Sequence, residues 1–300
     1  MITPPYLKPG DKIAIVSPAR SITFEEVYPA MKILQRWGLE VVLGTHVFSK
    51  SDQFAGTDEQ RILDLQHMLD DGSIRAVLCS RGGYGTVRII DRLDFKAFAE
   101  HPKWIIGYSD ITVLHCHIQR HFGIETLHGA MPVNMNDDTP EETLESLRNV
   151  LFGTRISYTL PRAPLNRNGH GEGPLTGGNL SILYSLLGSG SAPETRGSIL
   201  FLEDVDEYLY HVDRMMMALK RAGKLDGLKG LVVGGMDRMN DNTVPFGKTA
   251  NEIVSEAVRE FGYPVCFGFP AGHGVKNLAM VMGRNVQLKV EERVEMAFRW

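Results

Sequence analysis

The sequence predicts an α/β protein with a parallel sheet in its first half and a second domain behind it. Short apolar runs alternate with amphipathic segments of helical period throughout the first half. Strand and helix signals in this order indicate parallel strands with helices packed on both faces of the sheet. The predicted strands are residues 12–17, 40–43, 76–80 and 104–108, and the predicted helical segments are 24–37, 58–69, 87–93 and 136–152.

The character of the chain changes at residues 161–178. This stretch holds three prolines and five glycines with few large apolar side chains, a composition that favours turns. We therefore predict a first α/β domain at 1–160, a linker at 161–178 and a second domain at 179–300. In the second domain the strand signals are 198–203, 230–235 and 264–267, the helix signals are 208–222 and 246–261, and residues 280–300 alternate in a β-like way.

Composition and charge argue against several classes of protein. Hydrophobic residues make up 43% and charged residues 23% of the chain, as in soluble globular proteins. The formal net charge of -4 leaves no basic field for nucleic acid. The three cysteines, Cys79, Cys116 and Cys266, lie far apart in apolar runs, which argues against disulfides and against a zinc site. With no signal-peptide pattern and no run long enough to span a bilayer, we expect a cytoplasmic protein.

The segment 104–115 carries the strongest catalytic signal. Here an apolar strand runs into Gly107 and Ser109, and a helical pattern begins at once. A serine on a sharp strand-to-helix turn has its hydroxyl clear of the sheet and the first helical N–H groups beside it, as a nucleophile requires. The G-x-S-x-G elbow is matched only in part, because Ile111 replaces its second glycine. The alternative is a plain N-cap, with Ser109 or Asp110 satisfying an orphan amide of the helix.

A glycine-rich loop, residues 79–86, follows the third predicted strand. Gly82 and Gly83 in this loop let backbone approach a ligand without obstruction by a Cβ atom. Neither phosphate-binding fingerprint of such loops is present, which disfavours a nucleotide-binding enzyme. An oxyanion hole fits better, because an amide of Gly82 or Gly83 and the amide of Asp110 would converge beside Ser109. Both loops follow strands of the same sheet at their carboxyl ends, where ligand sites of α/β proteins occur.

A serine nucleophile needs a base, and the base needs an acid that orients it. Among ten histidines His273 is the best placed, because it lies between two glycines on a loop after a strand, and His128 is a second candidate. For the acid, Glu203 ends an apolar run and begins a group of four carboxylates in residues 203–207, so we expect its side chain to be partly buried. That group is also consistent with the charge bias of a helix N-terminus or with calcium binding, and His273 with an ordinary turn residue.

Taken together, these segments resemble the LD-carboxypeptidase family of serine peptidases, the muramoyltetrapeptide carboxypeptidases, which also contains the microcin-immunity peptidases. The resemblance runs through nearly the whole chain in eight motifs that keep their order. They are residues 7–11 (LKPGD), 15–19 (IVSPA), 54–58 (FAGTD), 80–85 (SRGGYG), 107–112 (GYSDIT), 175–180 (LTGGNL), 202–204 (LED) and 272–274 (GHG).

The resemblance implies a fold and a set of catalytic residues. The implied fold is a flavodoxin-like N-terminal domain with a parallel sheet and a mainly β C-terminal domain. The implied triad has Ser109 as nucleophile in the first domain, with Glu203 as acid and His273 as base in the second, and it needs no metal or organic cofactor. The implied substrate is a murein tetrapeptide that loses its terminal D-alanine during cell-wall recycling. The family commonly forms homodimers.

Substrate recognition and two rival functions stay open at this level. Binding of a peptide carboxylate calls for a cation, and we predict Arg81 because bidentate arginine suits that group, with a structural salt bridge as the alternative. A microcin-immunity peptidase would cleave a peptidyl- or aminoacyl-nucleotide conjugate with the same triad, although residues 161–173 hold no tryptophan to stack on an adenine. A small-ligand binding protein would hold its ligand without chemistry, and its binding would survive Ser109→Ala.

Overall fold

The computed structural model describes all 300 residues, which form two compact units. The first unit is Met1–Thr154 with Leu278–Val281, and the second is Arg155–Asn277 with Met282–Trp300. No helix in the structure combines the length and the apolar character that a bilayer span requires.

The strands are β1 (Lys12–Val16), β2 (Glu40–Leu43), β3 (Ile74–Cys79), β4 (Trp104–Gly107), β5 (Thr126–His128), β6 (Ser157–Pro161), β7 (Gly169–Asn179), β8 (Ile199–Val205), β9 (Gly230–Asp237), β10 (Val265–Cys266), β11 (Met280–Met282), β12 (Asn285–Val290) and β13 (Arg293–Phe298). The helices are α1 (Phe24–Arg36), α2 (Asp58–Asp70), α3 (Lys96–Glu100), α4 (Thr112–Phe122), α5 (Glu141–Leu151), α6 (Leu180–Ser185), α7 (Leu209–Arg221) and α8 (Ala250–Ala257).

The first unit is built on a six-stranded sheet in the order β11-β5-β4-β3-β1-β2. Its first five strands pair in parallel in the order 2-1-3-4-5, which is the flavodoxin-like doubly wound order. The inner strands β1, β3 and β4 are buried almost completely, as parallel strands covered on both faces must be. The predicted flavodoxin-like parallel sheet is therefore confirmed, and it brings the carboxyl ends of β3 and β4 side by side.

The starts of α1 and α2 follow from side chains that cap the orphan amides. Thr23 and Thr57 each accept a hydrogen bond from the backbone three residues later, and Glu26 and Gln60 bond back to complete a capping box. Each helix then buries an apolar stripe, which in α1 includes Val27.

The second unit is a seven-stranded sheet in the order β10-β9-β8-β7-β12-β13-β6. The strands from β7 to β10 are parallel, whereas β12, β13 and β6 continue the sheet from β7 as antiparallel strands. Residues along β12 and β13 alternate between buried and less buried, as the β-like pattern of 280–300 predicts. The mainly β character with added helices, here α6, α7 and α8, is confirmed.

The structure differs from the predicted linker at 161–178, because residues 169–178 lie in β7. The glycines of this strand mark close approach of neighbouring backbone rather than a flexible connection. A Cβ atom at Gly171 would collide with the carbonyl of Lys229, and one at Gly177 would collide with the carbonyl of Phe201. Smaller differences are the helix predicted at 246–261, which is limited to α8, and residues 87–93, which form short 3₁₀ turns.

Candidate active site

Ser109 occupies a strained turn between β4 and α4. Its φ is 62°, a left-handed value that costs a non-glycine residue roughly 1–3 kcal/mol. One 3₁₀ turn, Ser109–Ile111, then leads directly into α4. Strained backbone of this kind is found where a side chain must be presented in a set direction, and it gives Ser109 the geometry of a nucleophile elbow.

The elbow closes without the second glycine of the G-x-S-x-G pattern. A Cβ atom at Gly107 would lie 2.8 Å from Cγ1 of Ile111, so Ile111 packs in the space that the glycine leaves. On the next turn of α4, Nε2 of the buried His115 donates a hydrogen bond to the Gly107 carbonyl at 2.9 Å. Burial lowers the pKa of His115 to about 4, so its ring is neutral. Its hydrogen bond holds the backbone of the elbow at Gly107.

The glycine-rich loop after β3 contacts this elbow. A Cβ atom at Gly82 would lie 2.9 Å from Cβ of Ser109, 3.1 Å from its Oγ and 3.4 Å from the amide nitrogen of Asp110. No hydrogen bond within the chain uses the amide of Gly82 or of Gly83. Two backbone N–H groups thus lie on a loop that reaches the Ser109 hydroxyl, which suits the stabilisation of an oxyanion.

The Asp110 carboxylate ties the two loops together. Only 1% of Asp110 is exposed, and its Oδ2 accepts a hydrogen bond from the amide of Thr86 at 2.8 Å. Burial raises the pKa of Asp110, although the hydrogen bonds from Thr86 and the charge of Arg61 oppose the rise. Arg61 is itself buried, and its Nη1 donates to the carbonyl of Pro18 at 2.6 Å. The elbow, the glycine-rich loop and the β1 loop are therefore held by one buried polar network.

Glu203 and His273 form a hydrogen-bonded pair in the second unit. Nδ1 of His273 lies 2.7 Å from Oε2 of Glu203, which sits in β8 with none of its surface exposed. Gly272, at a φ of 115°, makes room for the carboxylate, because a Cβ atom there would lie 2.7 Å from Oε2. Nδ1 therefore faces Glu203, and Nε2 is the nitrogen on the opposite side of the ring.

The surroundings of His273 favour its protonated form. Burial alone favours the neutral imidazole, but the hydrogen bond to Glu203 and the negative charges of Glu203, Asp204 and Asp237 raise the pKa of His273 above its usual value. A histidine with a raised pKa is the stronger proton acceptor, and the carboxylates stabilise its imidazolium form.

The four carboxylates of residues 203–207 have four different partners. Asp204 accepts from Nδ2 of Asn179 at 2.9 Å, Asp206 accepts from Nδ2 of Asn240 at 2.9 Å, and Glu207 lies 2.6 Å from Nδ1 of His211. The structure contains no group of three or more His, Cys, Asp or Glu side chains arranged to hold a metal ion. Of these carboxylates, Glu203 is the one paired with His273.

The remaining predicted residues have definite places. Nη1 of Arg81 lies 3.4 Å from Oε1 of Glu26, so Arg81 forms a surface salt bridge. His128, at the end of β5, is fully buried with its ring 5.7 Å from that of Tyr108. Ser109 belongs to the first unit, whereas Glu203 and His273 belong to the second.

Sequence reasoning missed the residues that support the site. It did not assign roles to His115 or to Arg61, and for the side chain of Asp110 it offered only a helix N-cap. His115 lies six positions after Ser109 on the predicted helix, and this spacing was a usable signal. The partners of Arg61 come from three separate segments, so no local pattern could have identified them.

The comparisons with known proteins place the chain in a family. Residues 13–129 match the LD-carboxypeptidase N-terminal domain, and residues 172–288 match the LD-carboxypeptidase C-terminal domain. The chain therefore belongs to the LD-carboxypeptidase family and is a hydrolase of the serine carboxypeptidase class.

Individual relatives agree with this assignment. A Bacillus subtilis protein named "Probable murein peptide carboxypeptidase" is 35% identical over 97% of this chain and 92% of its own length. A murein tetrapeptide carboxypeptidase of Pseudomonas aeruginosa is 31% identical, with 93% of each chain covered. Among solved structures, the muramoyltetrapeptide carboxypeptidase of Oxalobacter formigenes superposes with a TM-score of 0.88 at 28% identity, covering 96% of this chain and 98% of that one.

A further structural neighbour shows the fold alone. The microcin C7 self-immunity protein MccF, solved in complex with aspartyl sulfamoyl adenosine, has a TM-score of 0.88 at 23% identity and covers 100% of this chain and 99% of its own.

Proposed function

We propose that this protein is an LD-carboxypeptidase that removes the terminal D-alanine from murein tetrapeptides. The observation that carries the proposal is the left-handed Ser109 turn beside Gly82 in a chain of this family. The Pseudomonas and Oxalobacter relatives bear names that specify tetrapeptide substrates, which supports the same substrate class here. The proposed role is recycling of cell-wall peptides.

The proposed mechanism uses Ser109, His273 and Glu203 as a triad. Nε2 of His273 removes the hydroxyl proton of Ser109 while Oγ attacks the scissile carbonyl, and Glu203 holds Nδ1 and stabilises the imidazolium. His273 then donates that proton to the amine of the departing D-alanine. Water, deprotonated by the same imidazole, releases the acyl group and restores the serine.

The proposed oxyanion hole consists of amides of Gly82 or Gly83 with that of Asp110. The unused N–H groups of the glycine-rich loop support this assignment, because donors that need no reorganisation stabilise developing charge most effectively. Arg81 stays a predicted substrate-binding residue. Its salt bridge with Glu26 is partly exposed and therefore weak enough to open.

The decisive experiment measures D-alanine release from a purified murein tetrapeptide by wild type and by Ser109→Ala. We expect the substitution to lower kcat by about 10⁴-fold or more, because triad residues act as a unit. Ser185→Ala serves as the control, since Ser185 is exposed and its hydroxyl only bonds within α6. A fluorophosphonate should label wild type at Ser109, as peptide mass spectrometry can check. Equal release by wild type and Ser109→Ala would remove Ser109 from the mechanism.

A second candidate function is hydrolysis of peptidyl- or aminoacyl-nucleotide conjugates. One observation favours it: Tyr208 and Tyr210 follow the Glu203–Glu207 segment with 44% and 41% of their surfaces exposed, and such rings can stack on a base. The two functions are separated by the substrate that wild type turns over, a D-alanine tetrapeptide or an aminoacyl sulfamoyl adenosine. Binding of either ligand without turnover would favour a non-catalytic binding protein.

The cellular setting and the oligomeric state belong to the same proposal. We propose a cytoplasmic protein, and its three cysteines, which are free thiols, suit a reducing compartment. We also propose a homodimer, which light scattering of the purified protein tests directly.

A further inference from the structure

Four arginines surround the loop that contacts Ser109, and three of them are paired. Buried Arg61 binds Asp58. Arg88 binds the same carboxylate through three contacts of 2.9–3.1 Å, and Arg81 binds Glu26. The fourth, Arg20, is exposed, and its guanidinium forms no hydrogen bond, ion pair or ring contact within the chain.

Arg20 is nevertheless held in place by the backbone around it. Its amide donates to the carbonyl of Gly82 at 3.4 Å, and it forms a β-bridge with Phe54. Its aliphatic stem lies against Gly83, where a Cβ atom would collide with Cγ and Cδ of the arginine. Gly83 has a φ of 106°, so its backbone conformation favours glycine. The missing Cβ also leaves the space that the Arg20 side chain occupies.

A charged group that is anchored but unpaired beside a nucleophile is suited to bind a ligand of opposite charge. Gly83, which contacts the side chain of Arg20, is next in sequence to Gly82, which contacts Ser109. Guanidinium binds carboxylates through paired, charge-assisted hydrogen bonds. The surrounding carboxylates, Glu26 and Asp58, are already engaged by other arginines, so they do not compete for Arg20.

We propose that Arg20 binds a carboxylate of the substrate during the reaction. The inference rests on the proposed function and deepens it, because the substrate is then recognised by charge at the loop beside Ser109. A tetrapeptide that ends in D-alanine offers its terminal carboxylate, and diaminopimelate at the third position offers a second one that lysine lacks.

The test compares wild type with Arg20→Gln on three peptides: the tetrapeptide acid, the same peptide as its C-terminal amide, and the acid with lysine in place of diaminopimelate. On the acid we expect Arg20→Gln to lower kcat/KM about 10- to 100-fold, the usual effect of losing a charge-assisted bond. On the peptide that lacks the bound carboxylate, the two proteins should agree within about twofold, because the partner of Arg20 is already absent. The peptide on which the difference disappears identifies the carboxylate.

Arg92→Gln is the matched control, because Arg92 is an exposed arginine whose only described partner is the exposed Glu59, at 3.2 Å. It should change kcat/KM by less than about threefold, and equally on all three peptides, since an exposed salt bridge contributes little. An equal loss on all three peptides with Arg20→Gln would overturn the proposal, because Arg20 would then only support the loop. A carboxylate-selective loss with Arg81→Gln and none with Arg20→Gln would also overturn it, because Arg81 would then be the residue that binds the carboxylate.

Failure of the proposed function gives a different result. In that case wild type itself releases no D-alanine from any peptide. Arg20 is then tested by calorimetric binding of the tetrapeptide acid to Ser109→Ala protein with and without Arg20→Gln. Weaker binding in the double variant supports the proposal, and unchanged or undetectable binding in both overturns it.

Discussion

The Ser109 elbow and the Glu203–His273 pair reach their geometry by different means. At the elbow, backbone does most of the positioning: a left-handed serine, a glycine with no Cβ between strand and helix, and a loop from the neighbouring parallel strand. At the pair, two side chains 70 residues apart meet through one hydrogen bond, and their charge distribution sets the chemistry. The elbow is thus sensitive to added atoms, whereas the pair is sensitive to changes in charge.

Removing the charge of Glu203 should have the largest effect in this comparison. Glu203→Gln keeps the shape but loses the anion that orients and stabilises His273, so we expect kcat to fall about 10³- to 10⁴-fold. The remaining activity should show its acidic limb at lower pH, because the carboxylate that raises the pKa of His273 is gone. D-alanine release measured across pH checks both effects.

A second glutamate–histidine pair supplies the control for that variant. Oε1 of Glu291 lies 2.8 Å from Nε2 of His170, but both side chains are largely exposed. Glu291→Gln should leave kcat/KM within about twofold of wild type. If Glu203→Gln had no more effect than this, the assignment of Glu203 as the acid of the triad would be wrong.

Adding one methyl group at the elbow should have the next largest effect. Gly82→Ala places a carbon 2.9 Å from Cβ of Ser109, and Ser109 or the loop must shift to relieve the contact. A displacement of a reacting group by up to about 1 Å can lower the rate about 100-fold, so we expect kcat to fall by that order.

Gly72→Ala is the matched control for this substitution, since nothing lies within 4 Å of the position that its Cβ would occupy. It should leave activity unchanged. Full activity of Gly82→Ala, with a melting temperature equal to that of wild type, would show that this loop does not confine Ser109.

The pH dependence of wild type should show the smallest of the three effects. Because the pKa of His273 is raised, the acidic limb of kcat/KM should lie above the usual histidine value of about 6.5. Below that limb activity should fall about tenfold per pH unit as the base becomes protonated. A limb below about 6 in the pH profile of wild type would contradict the charge environment described for His273.

Prediction from the sequence was most accurate for features that depend on residues adjacent in the chain. The apolar runs predicted β1, β2, β3 and β4 to within one or two residues, and the abrupt change at Ser109 predicted the strand-to-helix turn. Glycines were ambiguous, because the same residue marks a flexible linker or a close backbone approach. In β7 the second meaning applies, and it depends on the carbonyls of Lys229 and Phe201, which come from other segments.

By itself, the sequence determined the fold class, because periodicity is a property of the chain. Its ordered motifs also resemble a family whose implied fold is flavodoxin-like and whose implied triad is Ser109, Glu203 and His273. Only the tertiary structure decided which carboxylate of residues 203–207 faces His273. It also decided that Arg81 is paired with Glu26, 55 residues away, while Arg20 is left unpaired. These outcomes depend on charges and hydrogen bonds between segments that are distant in sequence, and such partners are set by the packing of the folded chain.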